Sequence, residues 1–304
     1  MPAQMGEKDH RPSTIEFHAY LLKVILPFLG TKRLKDITPR HIQQYLDYLK
    51  NSYKTKNNQP LSPKTIRHHY CTLNLIFEYA ERIEYIAFNP LKKVSIPKLV
   101  RHKVDALTKE ESLLFIKELN ELPLRLQTLY AVLLMTGLRR GECFGLQWKD
   151  IDFQNATMCI ERSVTYTKSK GVVVGLPKTD DGVREIPITD YLLNLLTKYQ
   201  TEQQTNGNID PTMYLFHSPD SFFQPQNPTY ITKHMRKFML RIGLPNMSPH
   251  DLRHTCATLL IQSGADIKSV QDMLGHADAS ITLNFYVRSS IENMRAATKQ
   301  AFNL

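Results

Sequence analysis

Between Thr157 and Ile188 the chain changes its periodicity. This segment is rich in Val, Ile, Thr and Tyr, and Gly171, Gly175 and Asp181-Gly182 punctuate it as turns. Short runs of that composition, bounded by such residues, read as strands of a small antiparallel sheet. On both sides the apolar residues recur at helical spacing instead. The pattern predicts an α+β chain that is mainly helical, with no internal repeat or low-complexity tract.

The helices announce their own ends. Tyr20, Leu21, Val24, Ile25 and Phe28 share one helical face. Thr38-Pro39 and Ser62-Pro63 are N-cap residues followed by Pro at the first helical position. They open segments carrying Ile42, Tyr45, Leu46 and Leu49, and then Ile66, Tyr70, Leu73, Ile76, Phe77 and Ala80, with a polar loop at Asn51–Pro60 between them. A small basic helical domain is predicted over residues 1–96. Residues Asn89–Leu107 carry Pro90, Pro97 and several cations and look like an extended crossing, with a basic linker at 97–107. A second domain is predicted over 108–304. It begins with the capping box Thr108–Glu111 before one apolar helix, and Arg125–Thr136 reads as a second, strongly apolar helix stopped by Gly137. After Thr189 the pattern is helical to the end. Ser248-Pro249, Asp266 and Ser280 mark starts, Gly264 and Gly275 mark stops, and Ile291–Leu304 reads as an amphipathic tail.

Charge narrows the partner. Lys and Arg number 39 against 29 Asp and Glu, a formal +10. Residues 1–100 hold 16 basic and 8 acidic side chains, so +8 of that surplus lies in the first third. A basic domain of this kind fits a polyanion. Tyr20–Leu29 is interrupted by Lys23 and Pro27 and is too short to span a membrane. Residues Met1–Arg11 lack the apolar core of a signal peptide. Cys71, Cys143, Cys159 and Cys256 are scattered, which suits neither a zinc site nor a disulfide framework and points to the cytoplasm.

Four clusters hold residues suited to phosphate chemistry. Thr136-Gly137-Leu138-Arg139-Arg140-Gly141-Glu142 sets an Arg just past an apolar helix. A guanidinium is permanently charged and grips phosphate oxygens in a two-pronged contact. Pro177-Lys178-Thr179-Asp180-Asp181-Gly182 is predicted to join two strands, with Lys178 at a hairpin tip. Pro249-His250-Asp251-Leu252-Arg253-His254 places His250 and Arg253 three apart near a helix start. Leu274-Gly275-His276 is followed ten residues later by Tyr286. Taken singly, each cluster has an ordinary structural explanation.

Their order and spacing together resemble the tyrosine recombinase, or phage integrase, family. The phrases TGLRRGE, SPHDLRHTCAT and LGHADASITLNFYV carry the likeness, which runs from about residue 11 to the end. LPFLGTKRLKDITPRHI looks like the core-binding domain of integrases from phages and conjugative transposons of Gram-positive bacteria. The resemblance implies a small all-α, SAM-like core-binding domain and a mixed α/β catalytic domain that clamp duplex DNA. It implies that Tyr286 attacks the scissile phosphate, that Arg139 and Arg253 hold the non-bridging oxygens, and that Lys178 protonates the leaving 5′-oxygen. It further implies that His250 handles the phenol proton, that His276 hydrogen-bonds the phosphate, and that Glu142 buttresses the site. In the family frame Arg139, not Arg140, is the functional member of its pair.

The basic residues expected to meet DNA are Lys64, Arg67, Lys92, Lys93, Lys98, Arg101 and Lys103. Nothing gathers carboxylates as a magnesium site would, and no phosphate-binding Gly loop is present, so neither a metal nor ATP nor another cofactor is expected. Expected partners are specific double-stranded attachment sites, further copies of the chain as a tetramer on DNA, and a directionality factor. Only about ten residues precede the likeness, as in a short variant or a truncated gene lacking an arm-binding domain and the usual first core-binding helix. Two other readings use the same residues: a Xer-type recombinase resolving chromosome or plasmid dimers, and a catalytically silent DNA-binding relic.

Overall fold

The computed structural model describes residues 12–55, 57–96, 106–177, 182–204 and 208–275. The chain divides into two compact units, Met1–Lys103 and Val104–Leu304. No described helix is long and apolar enough to cross a membrane.

The first unit packs three helices, α1 (Pro12–Leu29), α2 (Pro39–Asn51) and α3 (Pro63–Arg82). The Ser62 hydroxyl accepts from the Thr65 N–H (3.2 Å), and Thr38 caps α2 with its N–H donating to His41 Nδ1 (3.2 Å). Each such cap satisfies an otherwise orphaned group and is worth about 1 kcal/mol. Ile42, Tyr45, Leu46 and Leu49 are all buried as the spacing predicts. On α1 the buried stripe is Leu21, Ile25 and Leu29, and Tyr20 is 63% exposed. Tyr20 lies one helical step outside a stripe only one residue wide, so it faces water.

The segment read as the start of an extended crossing differs. Pro90–Lys93 is a short 3-10 helix, Leu91 is fully buried in the core of this unit, and the Asn89 carboxamide oxygen accepts from the Leu91 N–H. Burial of Leu91 ties the segment down despite its Pro and Lys content.

The second unit is built around α5 (Leu124–Thr136), in which every residue from Thr128 to Leu134 is buried. A helix apolar on all sides belongs inside a core. It packs against α4 (Lys109–Leu119), α7 (Asp190–Gln204) and α9 (Pro249–Gln262). The Thr108–Glu111 box forms in both directions, at 3.1 and 2.8 Å.

The strands are antiparallel but do not make one sheet. β1 (Ile151–Asp152), β2 (Thr157–Ile160) and β5 (Arg184–Pro187) form a three-stranded sheet in the order β1-β2-β5. β3 (Ser163–Thr167) and β4 (Gly171–Gly175) form a separate hairpin. β5 pairs with β2 and not with β4, so the strands before and after residues 178–181 belong to different sheets. Helices also do not persist unbroken after Thr189. β6 (His217–Ser218) and β7 (Ser221–Pro225) form a second hairpin, anchored where the Tyr214 N–H donates to the Phe222 carbonyl. α8 (Tyr230–Arg241), α9 and α10 (Ile267–Leu274) complete the described fold.

Candidate active site

The site grows from two helix ends. α5 stops at Gly137, whose φ is +62°, and α10 stops at Gly275, whose φ is +64°. The left-handed conformation favours glycine at both. Gly137 is also an approach point, since a Cβ there would lie 2.4 Å from Leu274 Cδ2 and 3.3 Å from Cys256 Sγ. Its missing side chain lets the end of α10 pack against the end of α5.

Arg139 sits just before α6 (Arg140–Phe144). Its backbone N–H donates to Glu142 Oε2 (3.0 Å), and its guanidinium donates to Glu142 Oε1 (2.7 Å) and to the Gly275 carbonyl (2.7 Å). Arg140 turns elsewhere and donates to Thr232 Oγ1 (3.1 Å). Of the two adjacent arginines, Arg139 alone joins this cluster.

Arg253, on α9, is 2% exposed. It donates to the Gly137 carbonyl (2.9 Å) and to the Leu274 carbonyl (2.7 Å). Burial, reinforced by the nearby Arg139 charge, pulls its pKa down to about 9, so it still carries its charge at neutral pH. Glu142 is 1% exposed. Burial by itself would raise its carboxyl, but Arg184 and Arg139 outweigh that and hold it below the ordinary carboxylate value.

Arg184 was not among the residues expected from sequence. It donates to Glu142 Oε2 (3.0 Å), to the Met273 carbonyl (2.7 Å) and to the Gly182 carbonyl (3.1 Å). Arg184, Arg253 and Arg139 thus take the three consecutive carbonyls of Met273, Leu274 and Gly275. A helix C-terminus carries unsatisfied carbonyls and partial negative charge, which these cations answer. Among the described residues this cluster gathers three guanidinium groups and one carboxylate, which Arg139 and Arg184 share, so it is net positive there and suited to an anion. A signal for Arg184 was present in strand alternation: it lies on the same face of β5 as Ile186, which is buried.

His250 is exposed in the first turn of α9, and its ring packs edge-on against His254 at 4.5 Å. Lys178, His276 and Tyr286 lie outside the described residues, as do the expected helix at Ser280–Tyr286 and the tail at Ile291–Leu304. Among the basic residues expected to meet DNA, Lys64 and Arg67 are exposed on α3. Lys92 and Lys93 are exposed on the 3-10 helix, where Lys92 pairs with Glu81 (2.8 Å). Lys98, Arg101 and Lys103 lie outside the described residues. No group of three or more His, Cys, Asp or Glu able to hold a metal occurs among the described residues.

The phage integrase family pattern matches residues 105–293, and the phage integrase SAM-like domain matches residues 3–96. A XerC-like tyrosine recombinase of Caldanaerobacter subterraneus subsp. tengcongensis is 31% identical over 77% of this chain and 64% of its own length. The ICEBs1 integrase of Bacillus subtilis is 29% identical over 92% of this chain and 75% of its own. The chain thus spans under two thirds of the first relative and three quarters of the second. Among solved structures, the Tn1549 transposon integrase in complex with circular intermediate DNA superposes with a TM-score of 0.80 at 20% identity, covering 97% of this chain and 95% of that one. That likeness is one of fold: a SAM-like helical domain followed by a mainly helical domain with small antiparallel sheets. On the family match, with the relatives and the fold in agreement, the chain belongs to the phage integrase family of tyrosine recombinases.

Proposed function

We propose that this chain cuts and rejoins duplex DNA at specific sites, integrating or excising a mobile element without metal or ATP. The observation that carries the reading is the convergence of Arg139 and Arg253 on neighbouring carbonyls at the end of α10, 2.7 Å each, in a net positive cluster. In this reading the Tyr286 phenol oxygen attacks the scissile phosphorus and His250 takes the phenol proton. The bond from phosphorus to the 5′-oxygen breaks, Lys178 gives that oxygen a proton, and the DNA is left as a 3′-phosphotyrosyl ester. Arg139, Arg253 and His276 bear on the non-bridging oxygens. A phenol is mostly protonated at neutral pH, its ordinary pKa being about 10, so a base is needed. Fixed donors aimed at the developing charge lower the barrier without a metal. The phosphotyrosyl ester conserves the energy of the broken phosphodiester bond, so religation by the 5′-hydroxyl needs no ATP.

Residues 1–96 then act as the core-binding domain, 97–107 as a basic linker and 108–304 as the catalytic domain, assembling as a tetramer on two DNA sites with a directionality factor. The relatives favour one second reading: a XerC-like recombinase is among them, so dimer resolution is the alternative use of the same chemistry. The test is a nicked duplex carrying the junction sequence recovered from the flanks of the gene. A covalent protein–DNA adduct that survives denaturation, resists EDTA and is lost in Tyr286→Phe is expected. A duplex that is bound site-specifically yet yields no adduct would leave only a silent DNA-binding relic. Recovery of the site at a chromosome-dimer locus, and not at element ends, would favour the second reading.

A further inference from the structure

Arg184 has no part in the chemistry described above, yet among the described residues its side chain makes more hydrogen bonds than that of either other arginine of the cluster. Its side chain is 7% exposed, so it does not present itself to a DNA backbone. All three of its nitrogens are used, by Met273, Gly182 and Glu142. Glu142 in turn spends its other oxygen on the Arg139 guanidinium. A guanidinium on a flexible stem loses much rotamer freedom when fixed, and here the fixing element is a carboxylate that Arg184 itself fixes. The Gly275 carbonyl that receives Arg139 lies two residues from the Met273 carbonyl that receives Arg184. Arg184 thus holds the carboxylate that anchors Arg139 and a carbonyl two residues from its second anchor.

We propose that Arg184 is a positioning residue that sets the direction of the Arg139 guanidinium through Glu142 and the end of α10, without touching the phosphate. The inference rests on the reading that Arg139 bears on the scissile phosphate. Among the described residues, removing Arg184 leaves the Glu142 carboxylate to the Arg139 N–H and guanidinium alone, and takes from the Met273 carbonyl its guanidinium donor. Arg139 can then swing with Glu142. The loss falls on stabilisation of phosphate charge and not on DNA affinity, which is spread over many backbone contacts.

The test compares the wild type, Arg184→Gln, Glu142→Gln and the double variant on the nicked junction duplex. Each is also run on the same duplex with a methylphosphonate at the scissile position, where one non-bridging charge is absent. On the phosphodiester, Arg184→Gln is expected to form adduct on the order of 10- to 100-fold more slowly, by analogy with the loss of a partner that orients a metal ligand. Its DNA affinity should match the wild type. On the methylphosphonate the gap should shrink severalfold, because the transition state there carries less charge for Arg139 to meet. The double variant should be no slower than the worse single one, as residues acting in one chain are non-additive. A gap equal on both substrates would mark a general folding defect and overturn the proposal, as would additive losses. If Arg184→Gln does not fold, Arg184→Lys carries the same comparison, since an ammonium can make one of the contacts but not the fork. Wild type that makes no adduct would sink the recombinase reading itself, whereas wild-type adduct with an unimpaired Arg184 variant would sink only this inference.

Discussion

Glu142 grips Arg139 at both ends, accepting from its backbone N–H at 3.0 Å and from its guanidinium at 2.7 Å. The carboxylate is buried at 1% exposure between two arginines, so Glu142→Gln would leave buried positive charge uncompensated. Breaking one partner out of such a set costs about 3–5 kcal/mol. Urea unfolding should show that loss at pH 7. The sign with pH follows from the depressed carboxyl: the stabilisation is complete above the ordinary value of 4.5 and is lost as the pH falls through the lower folded value. The variant should therefore lose less between pH 5 and pH 3 than the wild type. Parallel acid curves would contradict the ion-pair account.

Gly137 and Gly243 separate two costs of adding a methyl group. Both have positive φ, +62° and +72°. A Cβ at Gly243 meets nothing within 4 Å, whereas one at Gly137 meets Leu274 Cδ2 at 2.4 Å. Gly243→Ala should cost about 1 kcal/mol, the conformational part alone. Gly137→Ala should exceed it by a further 1–3 kcal/mol, the usual range for overpacking. It should also slow adduct formation, since Arg253 donates to the Gly137 carbonyl. Equal urea midpoints for the two variants would show that the end of α10 yields freely.

What could be read from the residues was local. Ser62 with Thr65, Thr108 with Glu111, and Gly137 and Gly275 each declare a helix end within a few positions, and each does so in the structure. What could not be read was partnership at a distance. β5 pairs with β2 across the intervening hairpin, and nothing in Arg184–Pro187 distinguishes β2 from β4 as a neighbour. Arg184 finds Glu142 42 positions away and Met273 89 positions away, so no spacing rule reaches it. Arg139, Arg253 and Glu142 could be named because family motifs fix them, and not because the residues alone predicted their contacts. Leu91 shows the converse, a core residue hidden in a segment whose prolines and lysines look like linker.

The first unit holds a pH-sensitive pair. His69 is 2% exposed and its Nδ1 lies 2.8 Å from the Tyr45 hydroxyl. Burial, helped by His68, pulls its pKa from 6.5 down to about 4. The unfolded chain thus binds a proton near pH 6.5 that the folded chain refuses until about pH 4, so stability is lost as the pH falls across that window. The full effect across that window is on the order of 3 kcal/mol. His69→Gln keeps a hydrogen-bonding group for Tyr45 but cannot titrate. Urea midpoints at pH 7.5 and pH 5 should diverge less for the variant than for the full-length wild type, and an unchanged pH dependence would remove His69 as the cause.

Lys64 and Arg67 lie three apart on α3, both exposed, at a spacing that puts them on one helical face. If that face meets a DNA backbone, each cation displaces counterions, and the logarithm of the binding constant falls with the logarithm of salt by about 0.9 per contact. Lys64→Ala with Arg67→Ala should therefore flatten the slope by about 1.8 on a random-sequence duplex as well as on the junction duplex, because phosphate contacts carry no base information. Lys92 behaves differently, since it is paired with Glu81 at 2.8 Å. Lys92→Ala would expose the Glu81 carboxylate toward the same polyanion and weaken binding by repulsion as well as by loss of a contact. Lys92→Ala combined with Glu81→Gln should then bind better than Lys92→Ala alone. An unchanged salt slope in the Lys64 and Arg67 double variant would move the DNA-facing side of this unit off α3.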